Sequence, residues 1–240
     1  MINTDNGCSA FSLVIGASGG IGAALLAQLQ ADPRYAMTLG LSRRSTPPLD
    51  LLDEASIAAA AQHVKTLLAE HGRVLNLIVD ATGMLHTPTH QPEKSWAQLD
   101  AAQMALVFAI NAIGPALLMK HFLPLLPRQG TPVFATLSAK VGSIGDNRLG
   151  GWYSYRASKA ALNQLVHTAA IELRRRVPQA ICVALHPGTV HSALSKPFAK
   201  TGLTVRQPDV AAAELLATIA ALKPEDSGGF FSYDGEVLPW

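Results

Sequence analysis

A chain of 240 residues can form one α/β domain or two small ones. With 49% hydrophobic and 15% charged residues it holds enough apolar material for a large core, which excludes a disordered chain. A net charge of +2, with no basic stripe interleaved with aromatics, excludes a nucleic-acid partner.

The opening stretch, MINTDNGCSAFS, has neither a basic n-region nor an apolar core, so no secretory signal is expected. Cys8 and Cys182 fit no metal or redox spacing and read as free thiols of a cytoplasmic protein. Residues 11–15 form the first expected strand, followed by a Gly-rich turn over 16–22 and a helix over 23–31. A second strand over 37–41 ends at Ser42-Arg43-Arg44. Residues 54–70 carry a helical apolar face at Ile57, Val64, Leu67 and Leu68, with Gly72 as C-terminal cap. A buried strand over 75–79 runs into Asp80-Ala81-Thr82-Gly83.

A long helix is predicted over 96–125. Its apolar part, 101–119, is broken by Gln103, Asn111, Gly114 and Pro115, which suits a buried or interface helix and not a membrane span. A strand over 132–137 ends at Ser138. The next helix opens within GGWYSYRASKAALN and runs to about residue 177, with Arg174-Arg175-Arg176 in its last turn, where the dipole favours cations. A strand over 181–185 ends at His186-Pro187-Gly188, and a helix over 208–222 and a strand over 229–233 complete the chain. Alternating strands and helices with β-branched strands predict a single α/β domain over 1–240, a doubly wound Rossmann sheet, mostly parallel, with helices on both faces. Ligands of such sheets sit outside the C-terminal strand ends.

Three features there carry chemistry. GASGGIG joins the first strand to the first helix, where Gly16, Gly20 and Gly22 let the backbone approach a pyrophosphate at the helix N-terminus. The same stretch formally matches the G-x-S-x-G elbow of hydrolases, but that elbow needs strands before it. The end of the second strand offers no carboxylate for a ribose 2′-hydroxyl. Arg43 could instead pair with a 2′-phosphate, which favours NADP over NAD. Finally, Tyr155 and Lys159 are four apart, offset by roughly 40° on one helix face, whereas Tyr153 lies roughly 240° round from Lys159.

The glycines, Asn111, Ser138, Tyr155 with Lys159, and Pro187-Gly188, in that order over nearly the whole chain, resemble the short-chain dehydrogenase/reductase family. The stretches VGSIGDNRLGGWYSYRASKAALN and FFSYDGEVLPW are similar to its C-factor-like branch, which is named for a cell-signalling protein. The resemblance implies hydride transfer between NADP and a small carbonyl or secondary-alcohol substrate. In it Tyr155 is the general acid/base, and Lys159 lowers the phenol pKa and holds the nicotinamide ribose. Ser138 donates to the substrate oxygen, and Asn111 orders a water joining Lys159 to solvent. Ser143 is the rival serine, and a structural hydrogen bond to backbone is the other reading of Asn111.

By the same resemblance, Gly16, Ser18, Gly19, Gly20, Ile21, Gly22, Arg43, Asp50, Leu51, Ala81, Thr82, Gly83, Tyr155, Lys159, Pro187, Gly188, Thr189 and Val190 surround the cofactor. Two departures stand out. Most members read Asn-Asn-Ala-Gly where this chain has Asp80-Ala81-Thr82-Gly83, and the GDNRLGG loop before Tyr155 is longer than usual. The segment after Val190, HSALSKPFAKTGLTVRQ, is short for a substrate lid, which implies a broad or shallow pocket. No metal spacing occurs among the histidines. His186 and His191 read as loop or wall positions, and the apolar helix faces predict a homodimer or homotetramer. A dinucleotide-binding regulatory or signalling protein with little turnover is the alternative function.

Overall fold

A computed structural model of the chain describes residues 10–191 and 205–240. Cys8 and residues 192–204 of the expected lid lie outside the described residues. Six strands, β1 (Ala10–Ile15), β2 (Met37–Leu41), β3 (Val74–Asp80), β4 (Val133–Leu137), β5 (Ile181–His186) and β6 (Phe230–Ser232), pair in the order β2-β1-β3-β4-β5-β6. Every neighbouring pair is parallel.

The period-2 alternation of the strands sorts their side chains between two cores. Phe11, Leu13 and Ile15 of β1 join Ile57, Leu118, Phe122, Leu162 and Val166 on one face, under α2 (Glu54–Glu70), α4 (Gly114–Phe122) and α5 (Tyr153–Arg176). Val14 points the other way, with Val79, Leu137 and Leu185, toward α1 (Gly20–Ala31) and α6 (Pro208–Ala221). Both faces of the central strands are covered, as a parallel sheet requires. Cys182 is buried in the first of these cores, and burial pushes its thiol up to about 12.

Helix starts follow local chemistry. Asp53 accepts from Ala55 N at 2.9 Å at the head of α2, and Pro208 opens α6. The helix predicted over 96–125 begins later than expected. Trp96–Gln98 is an isolated 3₁₀ turn, and Asp100 caps α3 (Ala101–Phe108) by accepting from Gln103 N at 2.7 Å. The chain passes from α3 to α4 through a π turn, Ala109–Ile113, with Asn111 at its centre. By length and composition Ala101–Leu125 could cross a membrane, but here it packs against α2 and α5 within the fold. The three arginines do occupy the exposed last turn of α5.

Candidate active site

The sheet changes winding direction between β1 and β3, since β1 connects onward to β2 on one side and pairs with β3 on the other. At that point the glycine turn folds onto the end of β3. Gly16 has φ +82°, and a Cβ there would stand 3.0 Å from the Ala81 carbonyl carbon and 3.1 Å from Thr82 Cγ2. Gly22 backs directly onto Gly16. Ser18, Gly19 and Gly20 are exposed at the mouth of α1, whose N-cap, Gly19, makes no side-chain cap bond. The first N–H groups of α1 therefore face an open cradle that suits an anion. Ile21 turns partly into the core beside it.

Below this cradle lies Lys159, a lysine only 2% exposed, whose Nζ donates to Leu137 O at 2.8 Å. The Cβ position of Gly83 is 3.4 Å from that Nζ and 3.7 Å from Asn111 Oδ1, so Gly83, Lys159 and Asn111 share one locus. Asn111 Oδ1 accepts from Met84 N at 2.7 Å. Its Nδ2 donates to Met84 O at 2.7 Å and to Ser158 Oγ at 3.1 Å. The backbone bonding considered from sequence is thus present. It ties the π turn to the loop after β3.

Asp80 replaces the family's asparagine and is fully buried. Its carboxylate accepts from Thr82 N at 3.0 Å, Thr82 Oγ1 at 2.6 Å and Thr136 Oγ1 at 2.7 Å. Burial raises the Asp80 pKa, and the Lys159 charge opposes that rise. Lys159 is pushed down to about 8 by burial, with Asp80 pulling the other way.

Ser138 follows β4 directly, is buried, and its Oγ donates to Asn163 Oδ1 at 2.6 Å. Ser143, the rival serine, is spent in a turn, its Oγ accepting from Asp146 N at 3.0 Å. Tyr155 stands on α5 with Trp152 edge-on at 6.2 Å. Burial pushes the phenol up to about 12, while the Lys159 ammonium expected to lower it is held on the Leu137 carbonyl.

The remaining predicted positions lie on the segments that follow β2 and β5. Arg43 is exposed beyond β2. Asp50 Oδ1 accepts from Leu52 N at 3.0 Å, and Leu51 packs against Gly114 of α4. Past Pro187, Gly188 lies beside Arg206 and Tyr233, and Arg206 sits 3.6 Å from the Tyr233 ring centroid. Thr189, buried Val190 and His191 run alongside Arg206, with Arg206 N donating to Thr189 O at 2.8 Å. No cluster of metal-binding side chains occurs among the described residues.

Sequence reasoning missed two buried side chains. Glu93, far from any motif, caps α5 by accepting from Ser154 N at 3.2 Å and from Ser154 Oγ. It supplies the cap that Trp152, at φ +52°, does not. Asn163, one turn past Lys159, holds Ser138. Neither belongs to a spacing pattern, although a buried polar residue on an otherwise apolar helix stripe was a readable signal for Asn163.

Fold and site together define an NAD(P)-dependent oxidoreductase. A family profile described as Enoyl-(Acyl carrier protein) reductase matches residues 23–220, and the chain belongs to the short-chain dehydrogenase/reductase family. It is 31% identical over 242 aligned positions to a short-chain dehydrogenase of Neurospora crassa, covering 95% of this chain and 87% of that protein. It is 39% identical over 143 residues to the C-signal protein of Myxococcus xanthus, covering 59% of this chain and 81% of that one. Among solved structures it is similar to the NADPH-bound carbonyl reductase from chicken fatty liver. The TM-score is 0.82 at 27% identity, covering 96% of this chain and 94% of that one.

Proposed function

We propose that the chain is a cytoplasmic, NADP-dependent reductase of small carbonyl compounds, with Tyr155, Ser138, Lys159 and Asn111 as its working residues. The observation that carries this reading is the single locus formed by Lys159, Asn111 and Gly83 at the sheet's switch point, beside an open anion cradle. The residues present fit a dinucleotide. Gly16–Gly22 leave room for a pyrophosphate, and Ser42-Arg43-Arg44 offers guanidinium and no carboxylate to a 2′-phosphate. When bound, the nicotinamide supplies a hydride to the carbonyl carbon.

The chain's own residues then manage the oxygen. A phenol near 12 is protonated at neutral pH, so Tyr155 can donate its proton to the oxygen as negative charge develops there. Ser138 supplies a second hydrogen bond to that oxygen. Lys159 holds positive charge beneath the site, and Asn111 fixes the floor of the loop through Met84. Ile144 and Leu149, 78% and 90% exposed on the long loop before Tyr155, offer an apolar approach. That favours aryl or alkyl carbonyls over charged ones.

Titration with NADPH and NADH, on wild type and Arg43→Ala, tests the cofactor. NADPH should bind more tightly, and the arginine substitution should remove most of that preference. Reduction of benzil, an apolar diketone, with Tyr155→Phe as control, tests the chemistry: the variant should keep NADPH binding and lose turnover. The likeness to C-signal favours a second reading, a cofactor-binding signalling protein. NADPH binding without reduction of any carbonyl in a broad panel would favour it. Half-exposed Ile113 on the π turn and Ile171 on α5 support a homodimer or homotetramer, and a monomer in sedimentation at micromolar concentration would refute that assembly.

A further inference from the structure

Asn163 is 2% exposed, and its two amide atoms are in unequal positions. Oδ1 accepts the Ser138 hydroxyl at 2.6 Å, whereas Nδ2 is buried without a hydrogen-bond partner. Buried donors are seldom left unpaired. A serine hydroxyl carries one proton, and here that proton is committed to Asn163. Carbonyl reduction needs it directed at the substrate oxygen.

An asparagine amide keeps its shape when oxygen and nitrogen exchange places. With the amide turned over, Nδ2 would donate to Ser138 Oγ, and the serine proton would be freed from that bond. Oδ1 would then take the place of the unpaired Nδ2. One amide atom is unpaired in either orientation, so the burial penalty stands on both sides and largely cancels. The two orientations are close enough in energy for a new acceptor beside Ser138 to select between them.

We propose that Asn163 is a positioning residue for carbonyl reduction, whose side-chain amide turns over as a carbonyl docks so that Nδ2 donates to Ser138 Oγ and the serine hydroxyl, keeping its proton, turns its hydrogen bond to the carbonyl oxygen. The proposal rests on the reductase reading above. Asn163 acts only through Ser138, and its effect should vanish without that hydroxyl.

The test is a double-mutant cycle on benzil reduction by NADPH at pH 8, using Asn163→Leu, Asn163→Asp, Ser138→Ala and both doubles. A carboxylate accepts only, so Asn163→Asp should lose on the order of 100-fold in kcat, near the loss from Ser138→Ala. Asn163→Leu should lose about tenfold, and KM should move little in either variant. On the Ser138→Ala background each substitution should cost less than about twofold. NADPH affinity should match the parent proteins, and Asn163→Asp should melt lower on both backgrounds because its carboxylate is buried. If the leucine variant fails to fold, the aspartate variant, equal in shape, carries the cycle. Losses that multiply in the doubles, or full activity in both singles, would overturn the inference while leaving the reductase reading intact. A wild type that binds no NADPH, or that reduces no carbonyl in a broad panel, would overturn both.

Discussion

Replacing Gly22 with alanine should break the glycine turn from inside. A Cβ there would collide with the Gly16 carbonyl oxygen and stand 2.8 Å from its carbon and 3.2 Å from Ala17 Cα. All three are backbone atoms, so no side-chain rotation relieves the overlap. The Gly16 carbonyl accepts from Gly19 N at 3.0 Å, and the N–H groups of Gly16 and Ala17 both donate to Leu41 O, at 2.8 and 3.1 Å. Opening the turn weakens these three bonds, worth about 1 kcal/mol each. Overpacking adds roughly 1–3 kcal/mol. The sum is on the order of 4 kcal/mol, a fall in Tm of roughly 8–16 °C for a chain of this size. Gly19 is the control, because a Cβ there meets only Gly16 O at 3.4 Å and its φ is −81°. Gly19→Ala should stay within about 0.5 kcal/mol of wild type and yet bind NADPH about tenfold more weakly, since the methyl enters the anion cradle. Calorimetry and a fluorescence titration read the two effects. A Gly22→Ala protein that melts like wild type would refute the packing argument. A Gly19→Ala protein with unchanged NADPH affinity would refute the assignment of the cradle.

Asp80→Ala strands three donors, and denaturant unfolding should show a loss of roughly 3–4 kcal/mol. Asp80→Asn keeps an acceptor for Thr82 and should cost about 1 kcal/mol, while removing the carboxylate that opposes the low Lys159 pKa and so taking it below about 8. A harmless alanine would sink this reading. His186 is pushed down to about 4, first by burial and then by Lys140 and Arg206. Between pH 6.5 and 4 the unfolded chain therefore binds more protons, so stability falls as pH drops through that window, by roughly 3 kcal/mol in all. Urea midpoints for wild type and His186→Asn across pH 4–7 should diverge accordingly, and parallel curves would count against it.

The alternation of strands and helices was legible because each strand is short, β-branched and bounded by turn residues, and 37–41 and 54–70 emerge with the same bounds. The start of α3 was misplaced because apolar residues continue upstream to Trp96, although Asp100 with Gln103 three residues on was a readable cap. The glycine turn, Ser138, Asn111 and Lys159 were legible as motif positions. What each side chain touches was not. The acidity of Tyr155 depends on how deeply the phenol is buried and on which carbonyl captures Lys159, and no spacing encodes either. Glu93 and Asn163 act across gaps of 61 and 25 residues, on Ser154 and Ser138 respectively, so only the folded chain shows them.

The π turn at Ala109–Ile113 takes up one extra residue without turning the flanking helices out of phase. Each residue in an α-helix turns those after it by about 100°, and a π turn holds one residue more than regular bonding would. Upstream, α3 lies against α5, and downstream α4 lies against α2 and α5. Deleting one residue here would restore regular bonding with α3 and α4 close to their present bearings, but it would pull Asn111 away from Met84 and Ser158, which its side chain now holds. The segment carrying Asn111 is therefore constrained in length as well as in identity. Losing one residue there should spare the packing of α3 and α4 and cost the bonds of Asn111 to Met84 and Ser158.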